Sequence, residues 1–234
     1  MNLFDPCVAN WLKNGLNQYI LFHVVYFNLS HKDLKVNDSF IGVIRVEYQS
    51  IFEYGSGMMQ LNHGKIQKHL GMALDYTTVG QVKITILDYI DEIIDAFDKS
   101  YPTGVSTNSS AAPAIIFEVN KYFFKLNAKQ NMEFHHLVVE ILYATKCVRL
   151  DTCTAISFLT TKVREPDNDD WYKLVHLMKH IRGTRNLPLI LSFNGSGILK
   201  WWINGSCTVH PNMRGNTGGG LSMGRGFPIF GPTK

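Results

Sequence analysis

The chain has 234 residues, of which 45% are hydrophobic, and this is enough to bury the core of one large domain or of two small ones. Charged residues make up 18% of the sequence, below the roughly 25% of a typical soluble protein. The net charge of +4 permits a polyanionic partner without requiring one.

The sequence predicts an intracellular protein, cytoplasmic or nuclear, with no membrane segment. Its four cysteines form no C-x-x-C pair and no zinc spacing, which is typical of reduced thiols. The N-terminus lacks the basic start and apolar stretch of a signal peptide. The longest apolar run, YILFHVVYF, is interrupted by His23 and is too short to span a bilayer.

The first part of the chain is predicted to alternate strands and helices. Residues 18–30 are rich in β-branched and aromatic side chains, which indicates a strand or a tight hairpin. The apolar spacing over 36–48 predicts a helix. A hairpin is predicted next, with strands at 68–77 and 81–87 joined by a turn at 78–80.

The clearest predicted helix covers 88–98, where the apolar spacing is helical and Asp88 is expected to be the N-cap. The Ser/Thr/Ala/Pro-rich residues 100–114 predict a linker. A strand is expected at 187–193, followed by a turn at 194–197. Between the linker and that strand the pattern predicts three helices, at 131–147, 151–163 and 168–182.

Two groups of possible metal ligands are better explained without a metal. His176 and His180 have the i, i+4 spacing of a two-histidine site, but no H-E-x-x-H glutamate lies between them and no third ligand is evident. They are expected to be polar groups on a partly exposed helix face. The acidic run 167–170 lacks the glycine and terminal glutamate of an EF-hand loop, so helix capping is the better interpretation.

The glycine-rich end of the chain offers similar alternatives. Gly218–Gly220 is not followed by the Lys-Ser/Thr of a phosphate-binding loop, so close backbone approach in a twisted strand is expected. Asn204-Gly205 is a strong hairpin signal, and Asn194-Gly195 gives the same signal ten residues earlier. The two turns would bracket a strand at 198–203 and imply no chemistry.

The densest basic stretch leaves two interpretations open. Its side chains could follow a phosphate backbone, or they could form an ordinary solvated helix surface. The candidate nucleic-acid-binding residues are Lys162, Arg164, Lys173, Lys179, Arg182 and Arg185.

Four segments together resemble the polymerase polyprotein of copia-type retrotransposons. The first segment is similar to the strand after the palm, KHLGMALDYT, and the second is similar to the helices after the reverse-transcriptase hairpin, FHHLVVEILYATKCVRLDTCTAISFLTT. The third is similar to the next helix, which ends in a Gly183-Thr184 signature, DDWYKLVHLMKHIRGTRNLPLIL. The fourth is similar to the start of the RNase H domain, GILKWWINGSCTVHPNMRGNTGGGLSMGRG.

The resemblance implies that the polymerase carboxylates are lost. The family carries two adjacent aspartates in a turn before Ser-His-Lys-Asp, which is present here at 30–33. Val25 and Tyr26 occupy the aspartate positions. In the family these carboxylates hold Mg²⁺. Valine has no ligand atom, and a phenol is a poor ligand for a cation that prefers hard oxygen donors.

The RNase H acids are implied to be lost as well. The family's first strand carries an aspartate followed by Ala or Gly and Ser, and the matching triplet here begins at Asn204. An amide brings no negative charge to compensate two divalent ions. Other departures are Leu150, which replaces the proline of an Arg-Pro-Asp signature, and residues 230–232, which are expected to interrupt the following strand.

The resemblance implies an α+β fold in four parts. These are a reverse-transcriptase palm remnant with a β-hairpin (1–99), a linker (100–130), a helical thumb or connection region (131–186) and the truncated first strands of an RNase H-like sheet (187–234). We expect residues 198–234 to be poorly ordered or aggregation-prone in isolation, because a partial sheet leaves open edges.

The expected function is that of a degenerate, catalytically inactive fragment of this polymerase and RNase H polyprotein, with no cofactor where the family uses Mg²⁺. The alternative is a non-catalytic module that binds an RNA–DNA hybrid or another nucleic acid. No membrane or small-molecule partner is expected. An active enzyme of another kind would need a nucleophile–base pair or a metal cluster, and the sequence offers neither.

Overall fold

The computed structural model describes residues 7–23, 26–51, 60–102, 104–107, 109–120, 122–207 and 215–233. The chain combines helices with antiparallel sheets, which agrees with the predicted α+β class. It divides into two compact units, Met1–Gly64 and Lys65–Lys234.

The first unit contains a three-stranded antiparallel meander and one long helix. The strands are β1 (Val8–Lys13), β2 (Leu16–His23) and β3 (Tyr26–Ser30), and they pair in that order. The pairing of β2 with β3 confirms the tight hairpin predicted within 18–30. Helix α1 (Leu34–Ile51) includes the predicted helix at 36–48.

The second unit contains a five-stranded antiparallel sheet whose strands come from both ends of this unit. In spatial order the strands are β10 (Gly224–Arg225), β7 (Leu189–Phe193), β6 (Gln81–Thr85), β5 (Met72–Asp75) and β4 (Ile66–His69). Strand β7 pairs with β6, so a strand predicted for the RNase H-like part shares a sheet with the predicted hairpin.

The predicted strand at 68–77 is wrong in one respect, because a turn divides it. Leu70 and Gly71 both have positive φ, 49° and 73°, so the chain reverses there and β4 pairs with β5. Consecutive residues with positive φ form the tight hairpin turn that matches strand twist. A leucine in this conformation gives no signal in the sequence, because side chains other than Gly and Asn seldom adopt it.

Four helices form the core of the second unit. Helix α2 (Leu87–Ser100) buries the predicted apolar stripe, although its N-cap residue is Ile86 and not Asp88. The predicted helices after the linker are present as α3 (Ala128–Cys147), α4 (Cys153–Thr160) and α5 (Asn168–Gly183). Their buried faces form one hydrophobic core, in which Phe134, Phe158 and Leu177 are completely buried.

Capping side chains define where two of these helices begin. The Asn127 side chain accepts a hydrogen bond from the Gln130 amide, and Asp167 accepts one from the Asp170 amide. In both cases the third helical residue bonds back to the cap, which completes a capping box. The prediction that the acidic run caps a helix is therefore confirmed.

A second, three-stranded sheet lies at the C-terminal end of this unit. Strands β8 (Lys200–Ser206), β9 (Asn216–Ser222) and β11 (Ile229–Thr233) pair in the order β11-β9-β8. Asn204 and Gly205 pair with Gly218 and Thr217 inside this sheet, so the hairpin interpretation of Asn204-Gly205 is wrong. The expected interruption at 230–232 is also wrong, because these residues pair with β9.

The predicted close approach at Gly218–Gly220 holds at one of the three glycines. A Cβ added to Gly220 would lie 2.6 Å from the Phe227 ring, whereas Gly218 has open space at that position. The three glycines of β9 instead leave Trp202, Ile203 and Asn204 of β8 without a side chain opposite them. Among the described residues, no helix is both long and apolar enough to span a membrane.

Candidate functional site: a buried arginine–aspartate–histidine cluster

The predicted polymerase turn is described only in part. Val25 lies outside the described residues, and Tyr26 is the first residue of β3, paired with His23. The Ser-His-Lys-Asp segment that follows has a local structural role. Asp33 Oδ1 accepts a hydrogen bond from the Lys35 amide at 3.0 Å, and His31 Nδ1 accepts one from the Asp33 amide at 2.9 Å. These bonds organise the start of α1.

The predicted RNase H position is fully described. Asn204 lies within β8, is solvent-exposed, and is opposite Gly218 of β9. The sequence contains no aspartate or glutamate between residues 171 and 234. Metal-assisted hydrolysis needs several convergent carboxylates, and this part of the chain supplies none. Within the described part of the chain, no group of three His, Cys, Asp or Glu side chains could hold a metal ion.

The best-defined polar site is instead a cluster of charged groups between the end of α3 and the end of α5. Arg149 is 1% exposed, and it donates two hydrogen bonds to Asp151, from Nε at 2.9 Å and from Nη2 at 2.7 Å. Arg149 Nη2 also donates to Thr184 Oγ1 at 2.6 Å. Guanidinium–carboxylate forks of this kind fix both partners in one geometry.

His180 completes the cluster from α5. Its Nε2 lies 2.8 Å from Asp151 Oδ2, and its Nδ1 lies 2.7 Å from the Ser109 carbonyl oxygen. Both ring nitrogens of His180 are therefore engaged, one by Asp151 and one by the backbone at residue 109. The cluster places Arg149 and His180 around a single carboxylate.

The surroundings of Asp151 determine its ionisation. Burial by itself would raise the pKa of Asp151, but the hydrogen bonds and positive charges of Arg149 and His180 outweigh it. The pKa of Asp151 is consequently held well below its ordinary value. The carboxylate is thus ionised over the whole neutral range, as the ion pairs require.

This cluster lacks the arrangement of a catalytic site. A histidine that activates a nucleophile needs one ring nitrogen facing that nucleophile and the other held by an orienting group. Both nitrogens of His180 are occupied by Asp151 and Ser109. The arrangement joins α5 to the 3₁₀ turn at Leu150–Thr152 and to residue 109, and its role is structural.

The two predicted histidines therefore have different surroundings. His180 is buried, so its expected position on a partly exposed face is wrong. His176 is half-buried, and its Nε2 lies 2.9 Å from the Ser110 carbonyl oxygen. Each histidine thus contacts the segment predicted as a linker. Ala111 of that segment is 3% exposed, which shows that it packs against the helical core.

Four of the six candidate nucleic-acid-binding residues are engaged with acids. Arg185 pairs with Asp91 at 3.2 Å, and Arg182 pairs with Asp98, so both reach α2. The remaining pairs join Lys173 to Asp169 at 2.8 Å and Lys162 to Asp170 at 3.9 Å. A phosphate would have to compete with these carboxylates for the same cations.

Lys173 is the most deeply placed of these cations. It is 6% exposed, donates to the Glu118 carbonyl oxygen and lies over the Phe158 ring at 4.8 Å. It lines an open surface depression together with Glu118 and Asp169. Because these contacts hold the ammonium inside the protein, it is poorly placed to contact a phosphate backbone that runs over the surface.

Arg164 and Lys179 differ from the other four candidates. Arg164 is exposed, Lys179 is half-buried, and neither forms an ion pair with a described residue. The structure therefore does not bring the six cations together as one free basic surface. The sequence singles out His180 and the Arg-Leu-Asp segment separately, and the structure joins Arg149, Asp151 and His180 in one charged cluster.

Comparison of this chain with protein-family models, with curated proteins and with solved structures finds no match. The described residues themselves thus carry the functional proposal.

Proposed function

We propose that this chain is a degenerate, catalytically inactive derivative of a copia-type reverse transcriptase and RNase H polyprotein. The observation that carries the proposal is the position of Asn204. It lies within a paired strand, as the resemblance requires of the RNase H aspartate, but it is an amide in a region without acids. The chemistry at this position is absent although the strand is retained.

The physical basis of the inactivity is charge compensation. Two divalent cations held close together bring four positive charges, which catalytic sites balance with carboxylates. An asparagine oxygen is a neutral ligand, and residues 171–234 contain no carboxylate side chain that could take its place. The polymerase turn is affected in the same way, since Val25 and Tyr26 replace the two aspartates.

A second observation supports a common origin for the helical region. The resemblance singles out an Arg-Leu-Asp segment at 149–151 and a Gly-Thr pair at 183–184, which lie far apart in sequence. Arg149 and Thr184 are in direct hydrogen-bond contact at 2.6 Å. A shared hydrogen bond therefore connects the two segments, which explains physically why one chain contains both of them.

The test is a pair of activity assays on the full chain. Primer extension and RNA–DNA hybrid cleavage are measured with Mg²⁺ and with Mn²⁺, beside an active reverse transcriptase as positive control. We expect no product above the background of a heat-denatured sample. The proposal fails if the chain shows activity that disappears in Asn204→Ala or in a variant of the 24–27 turn.

The charge distribution favours a second candidate function, a non-catalytic nucleic-acid-binding module. Residues 171–234 contain eight lysines and arginines and no acid. Such an imbalance attracts polyanions at a distance, even where some of the cations are paired locally. Binding to a labelled RNA–DNA hybrid should weaken steeply with salt, and absent or salt-insensitive binding would reject this candidate.

A further inference from the structure

Strand β8 combines an open backbone edge with exposed apolar side chains. It is an edge strand of the three-stranded sheet and pairs only with β9 among the described strands. Trp201, Trp202 and Ile203 are 65%, 58% and 77% exposed. A long, flat and apolar edge strand is a template for pairing with another strand.

The exposure of Trp202 and Ile203 follows from the composition of β9, because they are opposite Gly220 and Gly219. Trp201 is opposite Leu221 and is still 65% exposed. Cross-strand neighbours normally cover each other on both faces of a sheet, and a glycine provides no such cover. The apolar surface of β8 consequently remains available although the strand is paired on its inner side.

The opposite edge of the same sheet is protected. Strand β11 contains Pro232, whose backbone has no N–H, and proline within an edge strand blocks further pairing. The sequence of β8 contains no proline, and its one charged residue, Lys200, is at its beginning. Only one edge of the sheet is therefore suited to accept a strand.

We propose that β8 is a homodimerisation strand, which pairs antiparallel with β8 of a second copy across a two-fold axis at Ile203. Two identical open edges make an isologous contact that closes, because the protected edge at β11 prevents further growth. The two three-stranded sheets become one continuous sheet of six strands. Every copy of the chain presents the same exposed β8 edge, so a suitable partner strand is always present at the concentration of the protein itself.

The side chains of β8 are complementary to themselves in this register. Trp201 is opposite the partner's Gly205, and Trp202 is opposite the partner's Asn204, so each large ring faces a small residue. The two Ile203 side chains are opposite each other at the axis. Diagonal neighbours on one face of an antiparallel pair lie about 7–8 Å apart, within reach of aromatic rings. Trp201 therefore packs against the partner's Ile203, and the two Trp202 rings lie diagonally opposite each other on the other face.

The charges of β8 are compatible with this pairing. Lys200 lies three residues from the axis, so the two Lys200 side chains are separated by six residue positions, roughly 20 Å along the strands. This distance exceeds the Debye length of about 8 Å at physiological salt. The single cation of the strand therefore does not oppose dimerisation.

The first experiment measures the association state of the full chain by sedimentation equilibrium, between roughly 1 and 100 µM. We expect a concentration-dependent monomer–dimer equilibrium. Ile203→Lys places two like charges opposite each other at the axis and should weaken association at least ~10-fold. Val79→Lys, at a turn residue that is 95% exposed, is the matched control and should leave association unchanged.

Because Ile203 is mostly exposed, Ile203→Lys should fold normally, and circular dichroism with thermal unfolding checks this. A wild-type chain that stays monomeric over the whole range would overturn the proposal. So would open-ended growth beyond the dimer, or equal association in the Ile203→Lys and Val79→Lys variants.

The second experiment tests the register directly by cross-linking. The exposed Cys7 and Cys207 are replaced by serine, and Ile203→Cys is compared with Val79→Cys in that background. A short bifunctional thiol reagent should join two Ile203→Cys chains into a covalent dimer, and it should leave Val79→Cys chains monomeric. Equal cross-linking of the two variants would overturn the proposed axis.

Discussion

Arg149 Nη2 donates a hydrogen bond to Thr184 Oγ1, and the hydroxyl of Thr184 in turn donates to the His180 carbonyl oxygen. This relationship links Arg149, two residues after the end of α3, to Thr184, the C-cap of α5, 35 positions later in the chain. The guanidinium is buried, so it depends on these partners for its hydrogen bonds. The packing of the two helices is thereby tied to a single polar cluster.

Removal of the carboxylate from this cluster should strongly destabilise the second unit. Asp151→Ala leaves Arg149 buried without its counterion and His180 without one of its two acceptors. Breaking a fully buried ion pair on one side costs about 3–5 kcal/mol of the free energy of unfolding. Because the Asp151 side chain is 24% exposed, we expect a loss at the lower end of this range. Chemical denaturation of the wild type and the variant at neutral pH measures the difference.

Asp88→Ala is the matched control for this change. The Asp88–Lys68 pair also joins an aspartate to a cation, but its side chains are 77% and 81% exposed. Exposed pairs contribute about 0–1 kcal/mol, so this variant should lose little stability. Equal losses in the two variants would show that the Arg149 cluster contributes no more than a surface ion pair.

The stability of the wild type should also fall in acid because of Asp151. The pKa of Asp151 is lowered in the folded state, whereas an unfolded aspartate has a pKa of about 3.9. The stabilisation from its ionised form is therefore complete above about pH 4 and is lost as the pH falls below that value. The stability difference between wild type and Asp151→Asn should shrink as the pH falls from 7 to 3.

Asp170 should show a pH dependence of the opposite sign. Burial raises the pKa of Asp170, and the nearby Lys162 only partly opposes this shift. The folded state then binds a proton more readily than the unfolded state, so acidification relieves a cost. As the pH falls towards 4, the free energy of unfolding of the wild type should rise relative to that of Asp170→Asn. The same sign for both aspartates would contradict their assigned surroundings.

The sequence predicted the helices better than it predicted the cluster. The apolar stripe of α2 and the acidic cap of α5 are local patterns, and both are present. The cluster depends on contacts between Asp151 and His180, 29 positions apart, and between His180 and Ser109, 71 positions apart. No local period signals such contacts, so His180 resembled an ordinary polar surface residue.

The turns show the same limit from the other direction. Asn204-Gly205 has the composition of a hairpin turn, but pairing with β9 keeps both residues extended within β8. Leu70-Gly71 lacks a strong turn signal, yet the chain reverses there with positive φ at both residues. Strand pairing across the sheet therefore decided the backbone conformation where the local signal was misleading or weak.

Restoring one acid should not restore hydrolysis. Asn204→Asp gives β8 a carboxylate, but residues 171–234 would then contain only that single acid. Two-metal hydrolysis needs several ligands around both ions, so we expect no cleavage of an RNA–DNA hybrid by this variant with Mg²⁺ or Mn²⁺. Cleavage above the wild-type background would show that other carboxylates of the chain converge on Asn204.

The salt dependence of nucleic-acid binding should distinguish the unpaired cations from the paired ones. Arg164 and Lys179 form no ion pair with described residues, whereas Arg182 and Arg185 are held by Asp98 and Asp91. Each phosphate contact contributes about 0.9 to the slope of log affinity against log salt concentration. If the chain binds a hybrid, the double variant Arg164→Ala/Lys179→Ala should reduce this slope by about 2, as measured by fluorescence anisotropy. Arg182→Ala/Arg185→Ala is the matched control, with thermal unfolding to verify its fold, and it should leave the slope nearly unchanged. A larger effect in this control would mean that both arginines exchange their aspartates for phosphates on binding.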